Sequence, residues 1–159
     1  MATASPSLIL GVRTAPQQVR VALVRFEVAG ACTLLNQSSE NLIRTPAGFE
    51  EDIAGHLNWM YEEVGRILRQ NPSVSRLALK APEYARSNNA ASRLRHYLDA
   101  SVQLAATHAN VSVVTRLYNQ IAARKDDVRK YAEERVGRTD TNWNDEMADA
   151  IVVAWAVGR

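Results

Sequence analysis

Apolar and polar positions alternate through the first part of the chain. Leu8-Ile9-Leu10-Gly11-Val12 and Val19-Arg20-Val21-Ala22-Leu23-Val24-Arg25-Phe26 flank a Pro16-Gln17-Gln18 break, which predicts two strands joined as a hairpin. Gly30 marks a second turn and Ala31-Cys32-Thr33-Leu34-Leu35 a third strand, so this region reads as an antiparallel meander. The period then changes. Phe49, Ile53, Leu57, Met60, Val64, Ile67 and Leu68 recur at three- and four-residue spacing, the stripe of a long helix with one face on the sheet. Thr45-Pro46 offers its start, with proline at the first helical position and Glu50, Glu51 and Asp52 near the positive end of the dipole; Asn71-Pro72 ends it.

Val74 to Lys80 reads as a short inner strand, followed by an Ala81-Pro82 loop. A second helix follows, with Ala91, Leu94, Leu98, Val102 and Ala105 on its core side, Arg93, Arg95 and Asp99 elsewhere, and an end near Asn110. Val111 to Val114 gives a fifth strand, Tyr118 to Val136 a helix stopped by Gly137, and Trp143 to Val157 a last helix. Strands joined by tight turns are antiparallel neighbours, whereas strands reached through helices join in parallel by right-handed crossovers. The expected fold is therefore α/β: a five-stranded mixed sheet, three antiparallel strands then two parallel, flanked by helices. It forms a single domain over 7–159 after a flexible start at 1–6.

The chain has 159 residues, 47% hydrophobic and 23% charged, which suits one sizeable core. No run approaches the roughly 20 apolar residues of a membrane helix, and Met1-Ala2-Thr3-Ala4-Ser5-Pro6 lacks the basic start and apolar run of a secretion signal. A cytoplasmic protein without a membrane partner is expected. One cysteine, Cys32, and three histidines, His56, His96 and His108, at unrelated spacings exclude disulfide scaffolds and zinc modules. The histidines, lying within helices, are expected in exposed or capping roles, and Trp59, Trp143 and Trp155 as core or interface anchors. No glycine-rich phosphate loop occurs.

Charge is unevenly spread. Residues 1–63 carry four arginines against seven acids, residues 64–138 fourteen basic groups against six acids, and residues 139–159 one arginine against four acids. The middle is basic, and sixteen of the nineteen cations are arginine. Arginine suits bidentate phosphate contacts but is equally what a GC-rich genome encodes.

In its order of elements the chain is similar to the ribonuclease H-like fold, and in local sequence it resembles RuvC-type Holliday-junction resolvases. Leu8-Ile9-Leu10-Gly11-Val12 looks like the family's opening strand, Leu77-Ala78-Leu79 like its fourth, and Arg124-Lys125-Asp126-Asp127-Val128 is similar to a basic helix start. Asn144-Asp145-Glu146-Met147-Ala148-Asp149-Ala150 looks like the family's acidic C-terminal helix. The resemblance implies a two-metal nuclease with one acid ending the first strand, another ending the fourth and two more a turn apart on the last helix. Several carboxylates would hold two divalent ions, one activating water and the other stabilising the leaving oxygen.

Here only the final pair survives, as Glu146 and Asp149 at i and i+3. Arg13 stands where the family places its first acid and Lys80 where it places the second. Glu83 lies past the strand end, beyond Pro82. From Ala148 to Val157 the helix is apolar except for Asp149, so that acid is expected to be buried and to need a positive partner. The expectation is that Arg13 and Lys80 replace the metals in a salt-bridged, non-catalytic cluster with Glu146 and Asp149; the alternative is a shifted strand register that turns both cations to solvent.

Three functions compete. The first is an inactive resolvase-like protein that binds branched or structured DNA or RNA through Arg86, Arg93, Arg95, Arg124, Lys125 and Arg129, with no cofactor. Lys125, with Arg124 and Arg129, matches a basic position that the family uses near the scissile phosphate, and Tyr84 and Tyr97 add aromatic rings among Arg86, Arg93 and Arg95. The second is a protein-interaction module on a nuclease scaffold. The third is a magnesium-dependent nuclease with Glu83, Asp145, Glu146 and Asp149 in a rearranged site. The resemblance also carries the expectation of a homodimer, because a junction has two symmetric strands to cut.

Overall fold

A computed structural model describes residues 5–83 and 88–159. The long hairpin is present: β1 (Ser7–Ala15) pairs antiparallel with β2 (Gln18–Phe26), with Arg13 opposite Arg20 and Gly11 opposite Ala22. The third strand, β3 (Cys32–Leu34), covers the far end of β2, while β4 (Leu42–Arg44) covers its near end. The sheet therefore has six strands, one more than the apolar pattern suggested. The two short strands share one edge, and Asn36 fills the gap between them. Its side-chain oxygen accepts from the Leu23 amide at 2.9 Å, and its nitrogen donates to the Val21 and Glu40 carbonyls, each at 2.9 Å.

Helix α1 (Ile53–Gln70) leads to β5 (Val74–Lys80), parallel to β1, and α2 (Ala90–His108) leads to β6 (Ser112–Arg116), parallel to β5. The path across the sheet is β3-β2-β1-β5-β6. Helix α1 begins later than Thr45-Pro46 suggested. Gly48 takes φ +106°, outside the helical region, and Asp52 caps the helix by accepting from the Gly55 amide at 2.9 Å. His56, expected to be exposed or capping, is buried on α1, and Ile53 is exposed.

The helix expected from Tyr118 to Val136 is broken. Single 3-10 turns at Tyr118–Gln120 and Lys125–Asp127 precede α3 (Val128–Arg135), and Ala122 between them takes φ +51°. Arg135 donates to the carbonyls of Ile121 and Ala122 at 3.3 and 2.7 Å, replacing the bonds a continuous helix would make. The chain then forms α4 (Asp145–Gly158), capped by Asn144, which accepts from the Met147 amide at 3.0 Å. No helix among the described residues is long and apolar enough to cross a membrane.

Strand alternation divides the core into two. Leu8, Leu10, Val12, Leu77 and Leu79 face α1 and α2, where Met60, Val64, Leu98 and Val102 cover them. Ile9, Ala22, Val24 and Ala78 face the other way, under α4 and α3. Gly11 sets how closely α4 approaches. A Cβ there would lie 2.9 Å from both the Ala150 carbonyl carbon and the Ala154 Cβ, and closer still to the Ala150 oxygen. Both obstacles belong to the helix itself and cannot rotate away. Gly11→Ala is therefore expected to lower the unfolding free energy by about 2 kcal/mol or more, the cost of overpacking a rigid contact. Denaturant titration checks this; an unchanged midpoint would mean that α4 does not rest on β1 at that distance.

Candidate functional site

The alternation that places Gly11 under α4 also turns Arg13 toward that helix, and on β5 it turns Lys80 the same way after Ala78. Arg20, paired opposite Arg13, must share its face. Three cations from the strand ends thus meet the first turns of α4, where Glu146 and Asp149 project.

Asp149 is 2% exposed. Arg13 Nε donates to its Oδ2 at 3.1 Å and the Tyr118 hydroxyl to its Oδ1 at 2.5 Å, so both carboxylate oxygens have protein donors. Burial pushes the Asp149 carboxyl above its ordinary range, and the Tyr118 and Arg13 contacts offset only part of that. Tyr118, buried and donating to a carboxylate, has its own ionisation pushed far upward and stays a hydroxyl.

Glu146 is not bonded to Arg13 or Lys80 as expected. Its partner is Arg20, whose Nε lies 3.1 Å from Oε2 while Nη1 donates to the Asn142 carbonyl at 3.1 Å. Lys80, 1% exposed, also differs from expectation: its ammonium donates to the Ala81 carbonyl at 2.7 Å and to Glu83 at 3.0 Å, and lies 3.9 Å from the centre of the Tyr118 ring. Burial lowers the Lys80 pKa, while Glu83 and the nearby Asp149 pull it back up. For Glu83, burial is outweighed by the Tyr118 amide, which donates to it at 2.7 Å, and by Lys80, so its carboxyl stays below the usual range. Of the four residues expected to cluster, only Arg13 and Asp149 bond to each other; Glu146 pairs with Arg20 and Lys80 with Glu83.

On the other face of β1, Thr14 donates its hydroxyl to Asp99, which α2 buries at 5% exposure rather than presenting elsewhere on its circumference. Arg95 reaches from α2 toward the cluster and donates Nη2 to the Lys80 carbonyl at 3.3 Å. Its Nε is buried without a partner among the described residues. Burial and the neighbouring Arg13 bring its pKa down to about 10, so it remains charged at neutral pH.

These groups line a cleft of about 410 Å³ whose floor is Arg13, Lys80, Asp149 and Tyr118 and whose rim includes Arg95 and Lys125. Arg129 lines an adjoining hollow, paired with Asp145 at 2.8 Å, and Lys125 has no acid partner among the described residues. Arg124 is exposed beside Lys125 on an adjoining hollow. Arg93 is exposed at the start of α2, donates to the Asn88 carbonyl at 3.1 Å and does not line the cleft. Arg86 and Tyr84 lie outside the described residues.

The donor set does not fit a two-metal centre. Both Asp149 oxygens, one oxygen of Glu146 and one of Glu83 are already held by donors of the protein, and the strand ends supply fixed positive charge. A unit charge about 4 Å from a divalent ion costs on the order of 8 kcal/mol at an effective dielectric of 20. Among the described residues no group of three or more His, Cys, Asp or Glu is placed to hold an ion.

Arg20 was legible in principle: once Arg13 is turned toward the last helix, the residue opposite it across the hairpin must follow. Tyr118 carries no such signal, because its place depends on the irregular segment after β6.

No protein-family model matches the chain, and no curated protein matches it in sequence. Solved structures match its fold. The structure of T. thermophilus RuvC in complex with a Holliday junction substrate superposes with a TM-score of 0.75 at 18% identity, over 94% of this chain and 91% of that one. A second Thermus thermophilus RuvC structure gives 0.74 at 18% identity, over 94% and 92%. The yeast mitochondrial Holliday junction resolvase Ydc2 gives 0.63 at 11% identity, over 94% and 77%. The chain has the RuvC-like, ribonuclease H-type fold, and at these identities the likeness is one of fold.

Asp99 offers a test of the buried charges. Burial lifts its carboxyl above the ordinary value despite the Thr14 hydroxyl and the charge of Arg95. The folded chain then holds that proton more tightly than the unfolded chain, so stability is lost as pH rises from about 4 through the folded-state value. Asn keeps an acceptor for Thr14 without the charge. Asp99→Asn should match the parent near pH 4 and gain on it toward pH 7, read by urea titration at each pH. The opposite trend would mean that Arg95 more than compensates the carboxylate.

Proposed function

We propose that this chain binds branched or otherwise structured nucleic acid through the cationic cleft and does not cut it by metal-dependent chemistry. The observation that carries the reading is the pairing of Asp149 with Arg13 and Tyr118, where the acids of a two-metal nuclease would have to be free. Binding is supported by the cations that remain. Lys125 has no acid partner among the described residues, and the Arg95 side chain lines the same cleft. A neighbour of the same fold is complexed with a Holliday junction substrate, the shape of ligand expected here. Fixed guanidinium and ammonium groups replace mobile ions as the counter-charge to phosphate. Two copies on a two-fold symmetric junction are part of this reading.

Fluorescence anisotropy with a labelled four-way junction and a linear duplex of equal length tests it. The junction is expected to bind more tightly. If about four phosphates are contacted, affinity falls about a hundredfold between roughly 50 and 200 mM salt, and Lys125→Ala lowers the salt slope by about one. Replacing EDTA with manganese should leave the strands intact. Manganese-dependent nicking of the junction overturns the reading, and weak binding that ignores DNA shape favours a protein-interaction role instead.

A further inference from the structure

A second hollow, of about 620 Å³, lies beside the cationic cleft and shares Pro16 and Ala91 with it as a common wall. Its other walls come from the loop after β4 and the first turns of α1 and α2. Phe49 and His56 stack within it, ring centres 5.5 Å apart and planes 11° apart, with Trp59 tilted against both at 6.5 and 5.9 Å. Leu94 and the half-exposed Ile53 complete the apolar lining. Gln17 and Gln18 supply amide groups with no side-chain partner among the described residues.

The two compartments differ in what they attract. The cleft holds Arg95 and Lys125 in excess of its internal pairs, whereas the hollow carries one charge of each sign, Arg44 and Glu50, and a His56 whose burial favours its neutral form. An anion gains from the first and nothing from the second. A flat, uncharged, hydrogen-bonding ring gains from the second, because it meets aromatic rings and free amides across the Pro16 and Ala91 wall from the cations.

We infer that this hollow takes the unpaired base of a nucleotide whose phosphate lies in the cationic cleft, stacked on Phe49 and read by Gln17 and Gln18. The inference rests on the nucleic-acid reading above and adds the recognition of an unstacked base. It makes the protein a reader of nucleotides freed from pairing, at a branch point or bulge.

Three duplexes of one length test it: one with a single unpaired 2-aminopurine, one with an abasic residue at the same place and one fully paired. The unpaired base is expected to bind about tenfold more tightly than the abasic duplex, with 2-aminopurine emission quenched on binding. Phe49→Ala should abolish both effects and leave affinity for the paired duplex unchanged. Ile53→Glu places a charge in the hollow from an exposed position at the start of α1, so it tests the same point without removing a packed ring. If the abasic and unpaired duplexes bind alike, or both variants keep the preference, the base site is wrong and the function proposed above stands. If none of the three duplexes binds while the four-way junction does, the base site alone is wrong; if the junction does not bind either, that function falls and this inference with it.

Discussion

A carboxylate sealed under an apolar helix has to find positive charge or give up its own, and the site of this protein is organised by that need. Asp149 lies among Met147, Ala148, Ala150 and Ile151, all buried. An isolated charge in such surroundings is prohibitively costly, whereas a paired and hydrogen-bonded one is tolerated. Arg13 supplies the charge and Tyr118 the second hydrogen bond. Tyr118 in turn gives its ring to Lys80 and its amide to Glu83, so the neutralisation of one acid bears on the positions of two further side chains. The result is a site whose charges answer one another.

Much of this was legible in the order of residues, and what was missed has identifiable causes. Strand alternation fixes which face Arg13 and Lys80 occupy, because period two leaves no choice once Gly11 and Ala78 are under α4. The burial of Asp149 follows from the apolar run that surrounds it. Which acid each cation meets is a matter of a few ångströms at strand ends and turns, where no periodicity operates. Glu83 reaches Lys80 because the chain turns back after Pro82, and Arg20 takes Glu146 because it is anchored on the Asn142 carbonyl. The helix expected after β6 failed for a local reason: Ala122 adopts a left-handed conformation that no composition rule would assign to alanine. Asp99 was misplaced because helical periodicity sorts residues by polarity, and a polar residue bonded to a strand hydroxyl escapes that sorting.

The likeness to RuvC and Ydc2 concerns the path of the backbone, and a backbone does not set charge. In this chain two strand ends bring Arg13 and Lys80 to the cleft, so fixed positive charge stands among its lining. An arginine side chain has hydrogen-bond donors and no acceptor, so it cannot itself serve as a metal ligand.

The close seating of α4 on β1 also bears on how the molecule comes into being. The Arg13–Asp149 contact joins residues 136 positions apart, and α4 follows in the chain every strand it covers. During synthesis the part of this face that α4 covers, with Ile9, Ala22, Val24 and Ala78, therefore waits for the helix made after every strand. Such long-range closure is slow, and the waiting intermediate is sticky. Until α4 is in place, that apolar surface is open to non-native association.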